Sequence, residues 1–294
     1  MSKRVLLTGG QGFTGFYVGK ALSEAGFEVF NLDRSGKDEH HISANLLDKP
    51  SLTALVERVQ PDYVIHLAAV AFVGHGSISD FYMVNVEGTL NLLQAIREKA
   101  PTVKRVILAS SANVYGNPPI SPVAETSPFA PLNHYAMSKV SMEYMARTIY
   151  GADLPLLFTR PFNYTGVGQS PDFLIPKIVH HFKEGLHEMS LGNLDVVREF
   201  NDVRTIAKAY VALLQVGEPT QAVNLCSGQG YTITALLKIC EQLTGHQLQV
   251  KVNPQFVRPN ELKVLVGDSS LLRSLVSDLT FPPIEKTLSW MLSA

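Results

Sequence analysis

"RVLLTGGQGFTG" spans Arg4–Gly15, and its reading decides the fold. Arg4–Thr8 is a short apolar run that reads as a buried strand. "FTGFYVGKALSEAG", Phe13–Gly26, reads as a helix that Gly26 stops. Between them Gly9, Gly12 and Gly15 make a Gly-x-x-Gly-x-x-Gly pattern. The missing side chains allow a tight turn, close approach of a pyrophosphate and close helix-to-strand packing. The helix N-terminus adds free N–H groups and a positive dipole end. A glycine-rich turn without a ligand has the same composition. The position in a β-α-β unit, with Asp33 closing a second strand, Glu28–Asp33, singles out a dinucleotide. Phe13 and Thr14 join the glycines as expected cofactor contacts. Asp33 can accept from both ribose hydroxyls, which favours NAD. Arg34 can instead pair with a 2′-phosphate, which favours NADP.

The same alternation continues outward. Ser51–Gln60, Asp80–Lys99 and the stretch from Asn133 read as helices; Asp62–Ala69, Arg105–Ser111 and Leu154–Arg160 read as strands. Strands alternating with helices imply a parallel sheet covered on both faces, because each crossover helix packs back on the sheet. The expected class is α/β, a Rossmann-type doubly wound sheet. After Arg160 the pattern becomes irregular, with recurring Pro, Gly and Asn up to about Asn201, and "AVNLC" (Ala222–Cys226) returns to the sheet. The expected division is a dinucleotide domain over 1–160, continued by about 200–245. A smaller substrate lobe then takes 161–199 and 246–294.

Composition excludes several classes. The chain has 294 residues, with 25 basic and 26 acidic side chains, so no charge footprint for nucleic acid or an anionic membrane is expected. No apolar run approaches the roughly 20 residues that span a bilayer. Val5–Leu7 is too short for a signal peptide. Cys226 and Cys240 supply neither a disulfide framework nor a zinc spacing, so no metal is expected. Free core thiols in a reducing cytoplasm are the plain reading.

"NHYAMSKVSMEYM" runs from Asn133 to Met145 and places Lys139 four residues after Tyr135. That spacing puts both side chains on one helical face. A nearby ammonium pulls a phenol's pKa down, so the pair can move protons near neutrality. "HLAA" (His66–Ala69), "VNVEGTLNLL" (Val84–Leu93), "SSANVYG" (Ser110–Gly116) and this pair follow the glycine turn in order. Together they resemble the extended short-chain dehydrogenase/reductase family, which acts on nucleotide sugars. The resemblance implies a catalytic Ser/Thr, Tyr and Lys, which fall on Ser111, Tyr135 and Lys139, with Ser110 the second choice. Tyr135 would be the acid or base, Lys139 would poise it and hold the nicotinamide ribose, and Ser111 would bond the carbonyl oxygen. Standing alone, Ser111 reads as a strand-end hydroxyl capping backbone. The backbone of Leu67, Ala68 and Ala69, and Leu46, would line the cofactor. His66 reads as a packed structural histidine. Asn85 either orients backbone near the site or bonds within its helix.

"RPFNYTGVGQ" (Arg160–Gln169), "LGNLDVVREFNDVRTIAKAY" (Leu191–Tyr210) and "RPNELKVLVGDSSLL" (Arg258–Leu272) resemble the GDP-mannose 4,6-dehydratase and GDP-4-keto-6-deoxy-mannose reductase branch, nearer the reductase. This implies Asn163, Arg198 and Arg258 around a diphosphate, a task that suits arginine's planar fork of donors. Each arginine alone reads equally as a surface ion-pair residue. Lys177 and Gly192–Leu194 are weaker candidates for the nucleobase. Glu261 accepts from a base or ribose, or pairs with Arg258. A dehydratase pattern puts an acid two residues after the catalytic Ser/Thr. Here that residue is Asn113, and a carboxamide does not shuttle protons, so dehydration is disfavoured. Asn45, Val167, Glu199 and Thr205 also depart from the reductase-like pattern.

The resemblance implies NAD(P)H-dependent reduction of the C4 keto group of a GDP-linked sugar. A 4-epimerase with tightly held NAD is the enzymatic alternative, and a non-catalytic NAD(P)-binding sensor is the other class. Retention of Ser111, Tyr135 and Lys139 argues against the sensor. A homodimer is expected through the Asp80–Lys99 and Tyr135–Tyr150 helices. Met142, Tyr144 and Met145 read either as that interface or as core.

Overall fold

The computed structural model describes residues 2–33, 35–36, 38–71, 77–217, 221–256 and 263–294. Arg34, Arg258 and Glu261 lie outside the described residues. The first half runs β1 (Arg4–Thr8), α1 (Phe13–Glu24), β2 (Glu28–Asp33), β3 (His41–Ser43), α2 (Lys49–Val59), β4 (Tyr63–His66), α3 (Ile78–Tyr82), α4 (Thr89–Lys99), β5 (Arg105–Ala109) and α5 (His134–Tyr150). Next come β6 (Leu156–Pro161), β7 (Tyr164–Thr165), α6 (Leu174–Lys183), β8 (Glu188–Leu191), β9 (Val197–Arg198), β10 (Asn201–Asp202), α7 (Val203–Leu213) and β11 (Ala222–Leu225). The chain ends with β12 (Tyr231–Thr232), α8 (Ile233–Thr244), β13 (Gln249–Val252), β14 (Val264–Leu265), α9 (Ser270–Leu275) and α10 (Ile284–Ser293).

Seven strands form one parallel sheet in the order β11-β6-β5-β4-β1-β2-β3. The order reverses between β1 and β4. Such a switch point opens a crevice at the strands' carboxyl ends, where α/β sheets bind ligands. Strand pleating sends alternate side chains to opposite faces. Leu6 enters the core shared with α2, α4 and α5, while Val5 and Leu7 enter the one shared with α1 and α7. The expected doubly wound class is therefore the observed one.

Local chemistry sets the helix starts. Asp48 caps α2 on the Ser51 N–H, with Pro50 in the first turn. Asn133 caps α5 on the Ala136 N–H at 2.8 Å. The expected continuous helix over Asp80–Lys99 is instead α3 and α4 joined by a wider π-helical turn, Met83–Gly88. The extra residue per turn carries Asn85, whose carboxamide brackets the Val70 backbone: Oδ1 accepts from its N–H at 2.8 Å and Nδ2 donates to its carbonyl at 3.0 Å.

α6, α8 and α10 share an apolar core separate from the two that flank the seven-stranded sheet. Leu272 and Leu275 of α9 return to the core of the large sheet. The amphipathic pattern of a helix marks one apolar face but not which neighbour covers it.

Candidate active site

The glycine turn closes over the end of β1. Gly9 has φ +75°, and a Cβ there would sit 2.9 Å from the Ala68 nitrogen. A Cβ on Gly15 would meet the Gly9 carbonyl oxygen at 2.0 Å. The turn therefore excludes side chains so that α1 can pack closely on β1 and the backbone after β4. Gly12 caps α1 without any side-chain hydrogen bond, and no acid lies in that first turn. Its leading N–H groups suit phosphate oxygens.

Asp33, at the end of β2, accepts from the Gln11 N–H at 3.3 Å through Oδ1. Its Oδ2 is buried with no partner among the described residues, and burial raises its pKa. A ribose diol would supply the missing donors. The uncapped helix, the side-chain-free turn and this orphaned oxygen together fit a dinucleotide.

β4 ends on His66. The Thr89 hydroxyl donates to the Asn85 carbonyl at 2.8 Å, so it accepts from His66 Nε2 at 2.9 Å. His66 Nδ1 then accepts from the Thr8 hydroxyl at 2.7 Å. Burial, with Lys139 nearby, pushes its pKa down to about 3. The imidazole is a neutral structural tie. Thr8 Oγ1 also receives the Ala68 N–H at 3.2 Å, and the Thr8 carbonyl receives that of Leu67 at 3.2 Å. Leu67 and Ala68 are thus fixed at the switch point, with Ala69 next in the chain. Leu46 is different. Its side chain belongs to the α2/α4 core, and its carbonyl accepts from Asn91 Nδ2 at 3.0 Å.

Ser111 follows β5 and caps a short 3₁₀ turn, Ala112–Tyr115, its Oγ accepting from the Asn113 N–H at 3.2 Å. The strand-end capping role read from the sequence is the one its hydroxyl fills. Ser110 Oγ is buried without a partner among the described residues. Tyr135 stands in the first turn of α5, and Lys139 one turn on donates to the Ala109 carbonyl at 2.7 Å.

The expected electrostatics of the Tyr135–Lys139 pair need correction. Burial is the largest influence on the phenol and pushes it up to about 12, with Ser111 pulling the other way. Burial takes Lys139 down to about 8, with Glu143 opposing. Desolvation disfavours each charged form and outweighs the attraction anticipated from spacing. Tyr135 is a neutral phenol at physiological pH, the form that donates a proton.

Three features escape a sequence reading. Ser138 Oγ donates to the Tyr135 carbonyl at 2.7 Å and accepts from Asn85 Nδ2 at 3.0 Å, linking Val70, Asn85 and α5. Arg160 on β6 makes a buried two-pronged bond to Glu143 of α5, at 3.0 and 2.7 Å. Arg160 also donates to the Tyr115 hydroxyl at 2.9 Å, which in turn donates to Asn224 on β11 at 2.7 Å. This network ties the turn carrying Ser111 to the helix carrying Tyr135 and Lys139. Glu199 is a third buried hub. Its carboxylate accepts from Asn201 Nδ2, the Ser227 N–H and hydroxyl, and the Gly267 N–H, at 2.6–3.1 Å. Glu199 joins three segments of the chain through its carboxylate. Glu143 and Arg160 are 17 residues apart and meet only through the packing of α5 on β6.

Among the expected substrate residues, Asn163 follows β6 with an exposed side chain, and its carbonyl is held by Asn201 at 2.9 and 3.2 Å. Arg198 is buried on β9 and donates to the Val197 carbonyl at 2.8 Å. Lys177 on α6 reaches the Ser190 carbonyl at 3.3 Å. The glycine turn, Asp33, Leu67–Ala69, Ser111, Tyr135, Lys139 and Asn163 all lie at or follow carboxyl ends of the main sheet, whereas Arg198 lies on β9 and Lys177 on α6, outside that sheet. Among the described residues no cluster could hold a metal ion, and no helix is long and apolar enough to cross a membrane. Both thiols are buried, that of Cys240 pushed up to about 12.

A family model described as GDP-mannose 4,6 dehydratase matches residues 6–277. The chain belongs to that family. Within it, the chain is 33% identical over 290 residues to GDP-6-deoxy-D-talose 4-dehydrogenase of Aggregatibacter actinomycetemcomitans, covering 98% of this chain and 96% of that one. It is 30% identical to GDP-6-deoxy-D-mannose reductase of Pseudomonas aeruginosa, covering 92% and 90%. The solved structure of RMD from Pseudomonas aeruginosa with NADPH superposes with a TM-score of 0.87 at 29% identity, covering 100% of this chain and 97% of that one. The family and the fold make this chain an NAD(P)-dependent enzyme of the extended short-chain dehydrogenase/reductase type.

Proposed function

We propose that the protein reduces the C4 keto group of a GDP-4-keto-6-deoxy hexose. The observation that carries this reading is the placement of Tyr135 and Lys139 one turn apart on α5, with Lys139 donating to the Ala109 carbonyl just before Ser111, in a site whose adjacent turn offers Asn113 and no acid. Two nearby carboxylates already have partners: Glu143 holds Arg160, and Glu125 accepts from the Asn224 N–H at 2.8 Å. Dehydration would need a further proton carrier. Both relatives carry names of GDP-sugar oxidation or reduction, and the dehydrogenase's name specifies position 4, which supports the GDP linkage and the position of attack.

When bound, the reduced nicotinamide supplies the hydride. Ser111 bonds the C4 oxygen, where negative charge develops, and Tyr135 gives that oxygen its proton. Lys139, charged below about 8, favours phenolate once the proton has left. Asp33 offers its free oxygen to a 2′-hydroxyl and would repel a 2′-phosphate, so NADH is the preferred donor. Asn163, Arg198 and Arg258 hold the diphosphate.

The enzyme works in the cytoplasm as a homodimer. The exposed apolar side chains Met83 (44%), Tyr144 (56%), Met145 (42%) and Ile149 (41%), on α5 and the π-helical turn, supply the contact face. Met142 does not join them, being 1% exposed and part of the core.

The test supplies 4-keto sugar nucleotides with NADH or NADPH deuterated at the transferable position. Stoichiometric oxidation, with label at C4 of a GDP-6-deoxy hexose, is expected. Tightly retained NAD and interconversion of 4-epimers without net oxidation would replace this reading with a 4-epimerase.

A further inference from the structure

Tyr164 and the glycine turn lie far apart in sequence but meet at two points. The Tyr164 ring stacks on Phe13, with centroids 6.1 Å apart and planes 9° apart. Its hydroxyl lies 2.7 Å from Thr14 Oγ1, across 150 residues of chain. One turn further along α1, the Tyr17 hydroxyl donates to the Val167 carbonyl at 2.7 Å. The segment after β6 is thus stitched to the first two turns of α1.

Tyr164 is itself held. β7 pairs in parallel with β10, Tyr164 opposite Asn201 and Thr165 opposite Asp202. Asn201 bonds the Asn163 carbonyl twice, and Asp202 is fixed by Arg204 and by the Thr287 hydroxyl. Its partner Phe13 also meets the Tyr17 ring edge-on, with centroids 5.7 Å apart. The start of α1 has no side-chain cap, and its first N–H groups have no intrahelical acceptor. An uncapped first turn bordered by glycines has few restraints of its own. The Tyr164 ring and hydroxyl supply restraints to the two residues that begin the helix.

We propose that Tyr164 is a positioning residue for the nicotinamide cofactor, holding Phe13 and Thr14 so that the first turn of α1 is ready for the pyrophosphate before the cofactor arrives. Preorganisation of this kind raises affinity by removing an ordering cost. The inference rests on cofactor binding alone and stands whether the enzyme reduces, oxidises or epimerises its sugar.

Calorimetric titration of NADH into the cofactor-free protein provides the test, on wild type, Tyr164→Phe, Thr14→Val and the double variant. Tyr164→Phe keeps the ring over Phe13 and deletes only the hydroxyl. Each single change should weaken NADH about two- to tenfold, the range of one net hydrogen bond. The double variant should bind no more weakly than the weaker-binding single, because both remove the same bond. GDP affinity, titrated in parallel, should not change. A purely structural tie would lower the melting temperature while leaving NADH affinity at the wild-type value, and that result overturns the proposal. Multiplicative losses in the double variant also overturn it, since they assign Thr14 and Tyr164 separate contacts.

Discussion

Replacing Lys139 with methionine should stabilise the fold while abolishing turnover. Lys139 is 4% exposed, and its Nζ donates to the Ala109 carbonyl. Burial lowers its pKa from 10.5 to about 8, even with Glu143 favouring the charge. At neutral pH the ammonium is nevertheless charged, and holding it desolvated costs folding free energy. The gap between about 8 and 10.5 corresponds to roughly 3 kcal/mol. Methionine matches the stem and carries no charge, but it gives up the bond to Ala109, worth about 1 kcal/mol. The net gain should be about 1–3 kcal/mol near pH 7.

The sign with pH follows from the same shift. The folded pKa lies below the unfolded one, so between about 8 and 10.5 the unfolded chain binds more protons. Wild-type stability therefore gains from this group as pH rises through that window, and the advantage of Lys139→Met shrinks. Urea denaturation of both proteins near neutrality and again near pH 9.5, followed by circular dichroism, reads the difference. A less stable variant at neutral pH, or a difference that does not change with pH, would refute the reasoning.

Tyr135→Phe should cut turnover by about a hundred- to ten-thousand-fold while leaving NADH affinity nearly unchanged, because only the proton donor is lost; equal rates in a pure sample would remove Tyr135 from the chemistry. Arg198→Ala should weaken free GDP by roughly 1.5–3 kcal/mol in calorimetric titration, with NADH affinity barely altered, and unchanged GDP binding would sink the diphosphate role. Glu143→Gln should destabilise the protein by about 3–5 kcal/mol in denaturant titration, because it leaves the buried Arg160 guanidinium without its carboxylate; a neutral result would mean the pair is dispensable. Tyr144→Glu combined with Met145→Glu should convert a dimer into a monomer in sedimentation, and an unchanged sedimentation coefficient would place the interface elsewhere.

Features written in contiguous residues were legible in the sequence. A strand, a glycine turn and a helix in succession specify a phosphate-receiving junction, because φ, helix polarity and missing side chains are local properties. Four-residue spacing put Tyr135 and Lys139 on one helical face, and alternation of strands and helices implied a parallel sheet with ligands at its carboxyl edge. The expected structural role of His66 follows from the same logic, since a histidine inside a buried strand needs neutral partners. The continuous helix over Asp80–Lys99 was expected from good local propensity. Its π-helical turn depends on Asn85 meeting Val70, which propensity does not encode.

Tertiary structure decided what those local elements do to one another. Parallel crossovers bring together residues far apart in the chain, so Arg160 meets Glu143, Tyr115 meets Asn224, and Tyr164 reaches Thr14. No spacing rule links such pairs. Burial decided the protonation states as well. Sequence placed an ammonium near a phenol and pointed to a lowered phenol pKa, but desolvation in the folded site reverses the direction and keeps Tyr135 neutral. Identity and spacing of the candidate catalytic side chains are properties of the sequence. Their charge state and orientation are properties of the packed interior, where the loss of water outweighs the attraction between neighbours.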